Sequence, residues 1–77
     1  MKKYKLTDET RLYGNITLYK IQALKDFLNV KAGDLGGWVE SDKNLFQRDT
    51  CWVFGDAKVY GDAEVSGDAR VFGDDAY

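Results

Sequence analysis

The sequence contains no proline and no histidine, and only one cysteine, Cys51. Each absence closes a route. A single thiol cannot form a disulfide within the chain. Without histidine or a cysteine cluster, the usual donor sets for structural zinc are missing. The absence of proline argues against polyproline and collagen-like helices. No stretch approaches the roughly 20 apolar residues of a membrane-spanning helix. Met1-Lys2-Lys3-Tyr4-Lys5 is basic but has no apolar run behind it, so it does not read as a signal peptide. A lone thiol with no export signal reads as cytoplasmic, in a bacterial host cell. The 77 residues make one compact domain at most. A chain this short buries only about 60% of its unfolded surface. Repetition and self-association remain as sources of stability.

Glycine, valine and aspartate are present in strict order. From Val53 the chain reads Val-Phe-Gly-Asp-Ala-Lys, Val-Tyr-Gly-Asp-Ala-Glu, Val-Ser-Gly-Asp-Ala-Arg and Val-Phe-Gly-Asp. Valine recurs at Val53, Val59, Val65 and Val71, and alanine at Ala57, Ala63 and Ala69. A β-branched residue packs well on a pleated surface. Gly-Asp is turn chemistry, because glycine accepts positive φ and aspartate bonds nearby amides. Glycine every sixth residue would break a helix. Each unit is therefore a short strand followed by a corner.

This pattern resembles the hexapeptide repeat of left-handed parallel β-helices, in which three units make one triangular coil. The resemblance implies that Val53, Val59, Val65 and Val71 point inward as the aliphatic residue, with Ala57, Ala63 and Ala69 as the inward small residue. The second place, held here by Phe54, Tyr60, Ser66 and Phe72, departs from the enzyme-type pattern. Six-residue steps back from Ala57 reach Cys51, Leu45 and Val39; steps back from Val53 reach Gln47, Ser41 and Leu35. The expected coils are 35–52, irregular, then 53–70, with a third beginning at 71. Cys51 is expected to fill a small buried slot, with an inert role weighed above a reactive one.

Residues 1–34 carry no repeats. A β-hairpin about Gly14-Asn15 is expected, with a helix over about 19–29 as its competitor, because Ile21, Leu24 and Leu28 also fit helical spacing. The expected fold is all-β: a short left-handed parallel β-helix of about two coils at 35–77, capped by a hairpin region at 1–34. The head aromatics Tyr4, Tyr13, Tyr19 and Phe27 suit a cap over the open core, and Trp38 is expected to pack at the junction, a role weighed above ligand stacking. The segments Leu24–Phe27, Lys31–Ser41, Lys43–Leu45 and Cys51–Val53 together resemble a group of small phage and prophage proteins, which implies a phage origin.

Charge is divided. Residues 1–32 hold seven bases and three acids, net +4, and residues 33–77 hold four bases and ten acids, net −6. Solubility is the plain reading; an acidic face for a basic partner is the sharper one. Direct nucleic-acid binding by the acidic repeats is disfavoured. Hexapeptide acyltransferases typically use a histidine base, so its absence reads against catalysis, and no catalytic, cofactor or metal residue is expected. The candidate interface is the outward set Trp52, Phe54, Tyr60 and Phe72 with the corner aspartates Asp56, Asp62, Asp68, Asp74 and Asp75. For the aspartates, corner capping is weighed above cation binding or an acidic ridge. The expected function is a non-catalytic, phage-derived protein-binding module, in its most concrete form an inhibitor of a host defence complex such as an anti-CRISPR protein. A self-assembling or virion accessory solenoid and a remnant of a hexapeptide acyltransferase are the alternatives. A homodimer through the C-terminal end of the repeats is expected.

The inward register predicts that Val59→Asp costs several kcal/mol, because it buries an unpaired charge. Lys58→Asp should stay within about 0.5 kcal/mol. Thermal unfolding of the two variants decides it, and equal midpoints would refute the register.

Overall fold

The computed structural model describes residues 2–73. Six strands follow in order: β1 (Tyr4–Tyr13), β2 (Ile16–Ala23), β3 (Leu35–Val39), β4 (Trp52–Val53), β5 (Lys58–Val59) and β6 (Arg70–Val71). The described residues hold strands, turns and bends and no helix. Two open sheets form, one ordered β1-β2-β3-β5 and the other β4-β6. This all-β arrangement is compatible with a parallel β-helix.

β1 and β2 pair antiparallel from Tyr4↔Ala23 to Tyr13↔Ile16. They turn at Gly14-Asn15, where Gly14 has φ +66°, a conformation that costs glycine little. The competing helix over 19–29 does not form. Strand pairing takes its first half, and the chain then bends sharply, with Phe27 and Val30 exchanging backbone bonds of 2.9 and 2.8 Å. Ala23 N–H and Leu24 N–H donate to Asp34 and Lys3 carbonyls, so the amides a helix needs are already engaged.

β3 pairs antiparallel with β2, and every pairing beyond that is parallel. Val39 pairs with Val59, Leu45 with Val65 and Val53 with Val71. The first two partners lie twenty residues apart and the third eighteen. The equal steps expected from the sequence thus need correction. Val39 and Leu45 stand beneath valines, not beneath alanines, while Cys51 keeps the alanine slot next to Ala69 (Trp52 N–H to Ala69 O, 3.2 Å). The cause is a longer corner. Four residues, Gln47–Thr50, occupy the place that Gly-Asp fills elsewhere, and Asp49 takes the positive φ (+60°) that Gly55, Gly61 and Gly67 adopt in the regular units. At the preceding corner Asn44 is fully buried. Its Oδ1 accepts from Glu40 and Ser41 amides, and its Nδ2 donates to Gly61 and Ala63 carbonyls.

The core joins the head to the repeats. Tyr4, Ile21, Ala23 and Val30 pack in one cluster with Val39, Leu45, Cys51, Trp52, Val53, Ala57, Val59, Val65 and Val71. The junction depends on Gly36 and Gly37. A Cβ on Gly37 would stand 2.5 Å from Val53 Cγ1 and 2.6 Å from the Ala57 carbonyl; one on Gly36 would meet Ile21 Cγ1 and the Val53 carbonyl, each at 2.7 Å. No side chain fits against those carbonyls without moving the backbone. Gly37→Ala should therefore destabilise the fold by about 2 kcal/mol or more through overpacking, read as a lowered denaturant midpoint. Gly14→Ala, which meets nothing within 4 Å but keeps a positive φ, should cost about 1 kcal/mol.

Candidate functional site

The units with phenylalanine in second place build an aromatic face. Alternation from inward Val53 and Val71 turns Phe54 and Phe72 outward, and parallel pairing puts one above the other. Their rings stack at 4.6 Å between centroids and 12° between planes. Phe54 is half-buried, whereas Phe72 is 54% exposed. Arg70, exposed and two residues before Phe72, borders the face. From the head, the Phe27–Val30 turn brings Leu28 and Asn29 beside it. Together these five residues line an open groove of about 470 Å³.

Leu28 is unusual. Its φ is +47°, a left-handed conformation in which glycine or asparagine is the ordinary occupant, and its side chain is 55% exposed. An apolar side chain is thus held out to solvent beside Phe72 on a strained backbone. Sequence reasoning named Leu28 only for its helical spacing and did not name Asn29.

The outward aromatics do not all share this face. Trp52 was expected to be an exposed interface residue; it is 2% exposed and belongs to the core. It does point away from the valine row, but the head covers it. Tyr4 and Phe27 meet its ring edge-on at 6.1 and 5.2 Å. Tyr60 is half-buried and meets Tyr13 edge-on at 5.5 Å. Asp56, Asp62 and Asp68 stand exposed at corners, and Asp68 accepts a bond from the Thr50 hydroxyl at 2.9 Å. Asp74 and Asp75 lie outside the described residues. No three acidic, cysteine or histidine side chains gather as a metal site among the described residues. No helix long and apolar enough to cross a membrane occurs among them.

Beneath Trp52 lies a polar latch that the sequence did not disclose. Lys3 is fully buried, and its Nζ donates to the carbonyls of Cys51 (2.7 Å), Arg48 (3.2 Å) and Asp49 (3.4 Å). It also lies 3.4 Å from the Cys51 sulfur and 5.1 Å from the Phe27 ring centroid. The Arg48 and Asp49 carbonyls belong to the long corner, and the Cys51 carbonyl follows directly after it. Gln47 holds the same segment from outside, its Oε1 accepting from the Lys3 and Tyr4 amides at 2.7 and 3.2 Å. Cys51 is a fully buried free thiol packed against this ammonium.

No family model matches the chain. Over 62 residues it is 36% identical to a protein named Uncharacterized acetyltransferase YdcK from Escherichia coli (strain K12), covering 70% of this chain. The chain spans 19% of that protein's length. The match agrees with a hexapeptide type of repeat. It also overturns the expectation that the chain is no enzyme, which rested on the missing histidine: the protein it is similar to carries an acetyltransferase name. The reason that argument failed is chemical. Histidine serves the proton-transfer step, whereas holding an acyl donor needs apolar and cationic surface, so lack of one residue type does not separate a chain from that class.

The Tyr4 hydroxyl donates its one proton to the Leu45 carbonyl at 2.5 Å, with the Asp42 carbonyl farther off at 3.3 Å. Burial raises its pKa well above the usual phenol range, with the nearby Asp42 carboxylate and Cys51 adding to the rise. A raised folded-state pKa gives a contribution that is complete below the unfolded value of about 10 and is lost as pH climbs towards the folded value. Tyr4→Phe should cost about 1–2 kcal/mol near neutral pH, since a buried carbonyl loses its donor. Denaturant unfolding should show that gap narrowing above about pH 10. A gap constant from neutral to strongly alkaline pH would remove the hydroxyl from the account.

Proposed function

We propose that this chain forms the capped opening of a left-handed parallel β-helix of the acetyltransferase type, and that it serves acyl transfer by holding the acyl donor along the Phe54–Phe72 face. The groove beside that face carries the reading. Its floor is two stacked phenyl rings and a leucine, suited to the apolar arm or the aromatic base of a coenzyme A thioester. Arg70 supplies a cation at the rim, where the donor's phosphates would lie. The valine and alanine rows, the eighteen- and twenty-residue pairing steps and the similarity to YdcK support the helix type.

A second reading is favoured by Leu28. Strain and exposure at one leucine give the isolated fold nothing, and they suit a protein partner that buries it with Phe72. In that reading the chain is a phage-derived protein-binding module acting on a host defence complex, of which an anti-CRISPR protein is the concrete form. Leu28→Gly separates intrinsic strain from partner contact. It should leave the free protein as stable or more stable while weakening the complex.

Calorimetry with acetyl coenzyme A tests the first reading. Saturable binding is expected, and Phe72→Ala or Arg70→Gln should weaken it about tenfold, the value of one aromatic or charged contact of about 1.4 kcal/mol. Absence of heat at millimolar donor would end the donor reading.

A further inference from the structure

A second surface, sharing no residue with that groove, carries three cations beside a tryptophan whose indole donor is unsatisfied. Lys20 on β2, Trp38 on β3 and Lys58 on β5 are successive register partners across one sheet. Neighbours in such a row project from the same face. Arg11 joins them from β1. Its guanidinium carbon lies 4.6 Å from the Trp38 ring centroid, and Lys20 Nζ lies 4.9 Å from the same centroid. Lys58 Nζ lies 5.5 Å from the ring centroid of Tyr13, which in turn stands edge-on to Tyr60. Lys20 and Lys58 donate to the backbone carbonyls of Gly55 (3.5 Å) and Asp56 (3.0 Å). Two cations are thus held on the Trp38 ring and a third on Tyr13, with neutral carbonyls as the other partners of the two lysines.

Cation–π contact explains why Trp38 is covered, since the side-chain stems of Arg11 and Lys20 shield its ring. It does not explain two further features. Like charges drawn onto one ring repel each other, and the carbonyl oxygens beside them carry no net charge. In addition, the Trp38 indole Nε1 is buried with no acceptor among the described residues, although Trp38 is only 3% exposed. Buried donors in folded proteins nearly always find an acceptor, and an exception calls for a missing water or ion. An anion with several acceptor oxygens answers both features at once, by neutralising the cations and accepting the indole proton.

We propose that Arg11, Lys20, Lys58 and the Trp38 indole form a binding site for a phosphate-bearing ligand of the nucleoside phosphate class. The phosphate sits among the three cations and accepts from Trp38 Nε1. A carboxylate is a poorer match, because one negative charge leaves most of the cationic charge unanswered. The adjoining Tyr13–Tyr60 pair is the surface for the base: Tyr13 is 40% exposed and offers its ring beside Lys58. The hairpin therefore does more than cover Trp38; it completes a site that neither the head nor the repeats hold alone.

Proton–nitrogen correlation spectra of the full chain test the site, with inorganic phosphate, ribose 5-phosphate and adenosine monophosphate as separate probes. The Trp38 indole resonance should move saturably on adding each probe, while that of buried Trp52 stays in place. The nucleotide should bind about tenfold or more tighter than ribose phosphate, as stacking of one base on an aromatic ring commonly provides. Lys58→Gln, at a half-buried surface position, should weaken binding about tenfold with no change in melting temperature. Trp38→Phe keeps the ring and the cations but loses the donor, and should weaken phosphate itself. Phe72→Ala, in the donor groove, should leave all of these affinities unchanged, so the two sites fail or stand separately. An indole resonance unmoved by tens of millimolar phosphate would overturn the site. Equal affinity for ribose phosphate and nucleotide would overturn the role of the tyrosines.

Discussion

The close approach of the Gly36–Gly37 backbone to Val53 and the Ala57 carbonyl governs the rest of the molecule. β3 pairs antiparallel with β2 on one edge and parallel with β5 on the other, so it belongs to the head and to the repeats at once. Two different twist and register requirements meet in five residues. Without Cβ atoms at positions 36 and 37, Ile21 of the head and Val53 of the next turn can both press onto the same strand. One continuous hydrophobic cluster results, instead of a hairpin loosely attached to a stack. For a chain whose length limits its core, that continuity supplies much of the available burial.

The second tie is polar. The long corner Gln47–Thr50 interrupts the repeat and leaves carbonyls that no neighbouring strand takes up. The Lys3 ammonium takes them up, at the cost of burying a charge. Its three carbonyl bonds and the Phe27 ring offset that desolvation. The irregular corner and the buried lysine therefore explain each other. A regular Gly-Asp corner would have left Lys3 without its Arg48 and Asp49 acceptors.

How far the sequence disclosed this follows from the range of each interaction. The valine row and the corners at Gly55, Gly61 and Gly67 depend on neighbours within six residues, and a six-residue period displays them. The hairpin turn is equally local, and Gly14-Asn15 marks it. The register below Val53 was misread, because two extra residues in one corner change every step before it while leaving an apparent six-residue track through Cys51, Leu45 and Val39. Trp52 was misassigned for a different reason. Alternation tells which way a side chain leaves its strand, not what the head lays over it. Lys3, Leu28 and the cations around Trp38 owe their environment to contacts between segments far apart in the chain, and no periodicity records such contacts. Phe54 and Phe72 formed the stack that parallel pairing implied, since one residue class in one register position is sufficient for it.

The head also decides which faces of the repeats remain available. It covers Trp52 with Tyr4 and Phe27, and Trp38 with Arg11 and Lys20. It stops short of Phe72, where the Leu28 turn borders the aromatic face without closing it. The repeats bring an acidic balance and the head a basic one, yet the cations that converge do so on rings and carbonyls. Opposite charges placed for mutual stabilisation would neutralise one another across the junction. Cations held instead on aromatic faces keep their net charge. Of two surfaces where the head meets the repeats, one is thereby apolar with a single arginine at its rim and the other carries three cations. A polar ligand carrying both an apolar arm and phosphate charge discriminates between such surfaces, and so does a partner that offers only one of these chemistries. The division of the surface thus arises from where a short hairpin ends its cover, not from any change in the repeat itself.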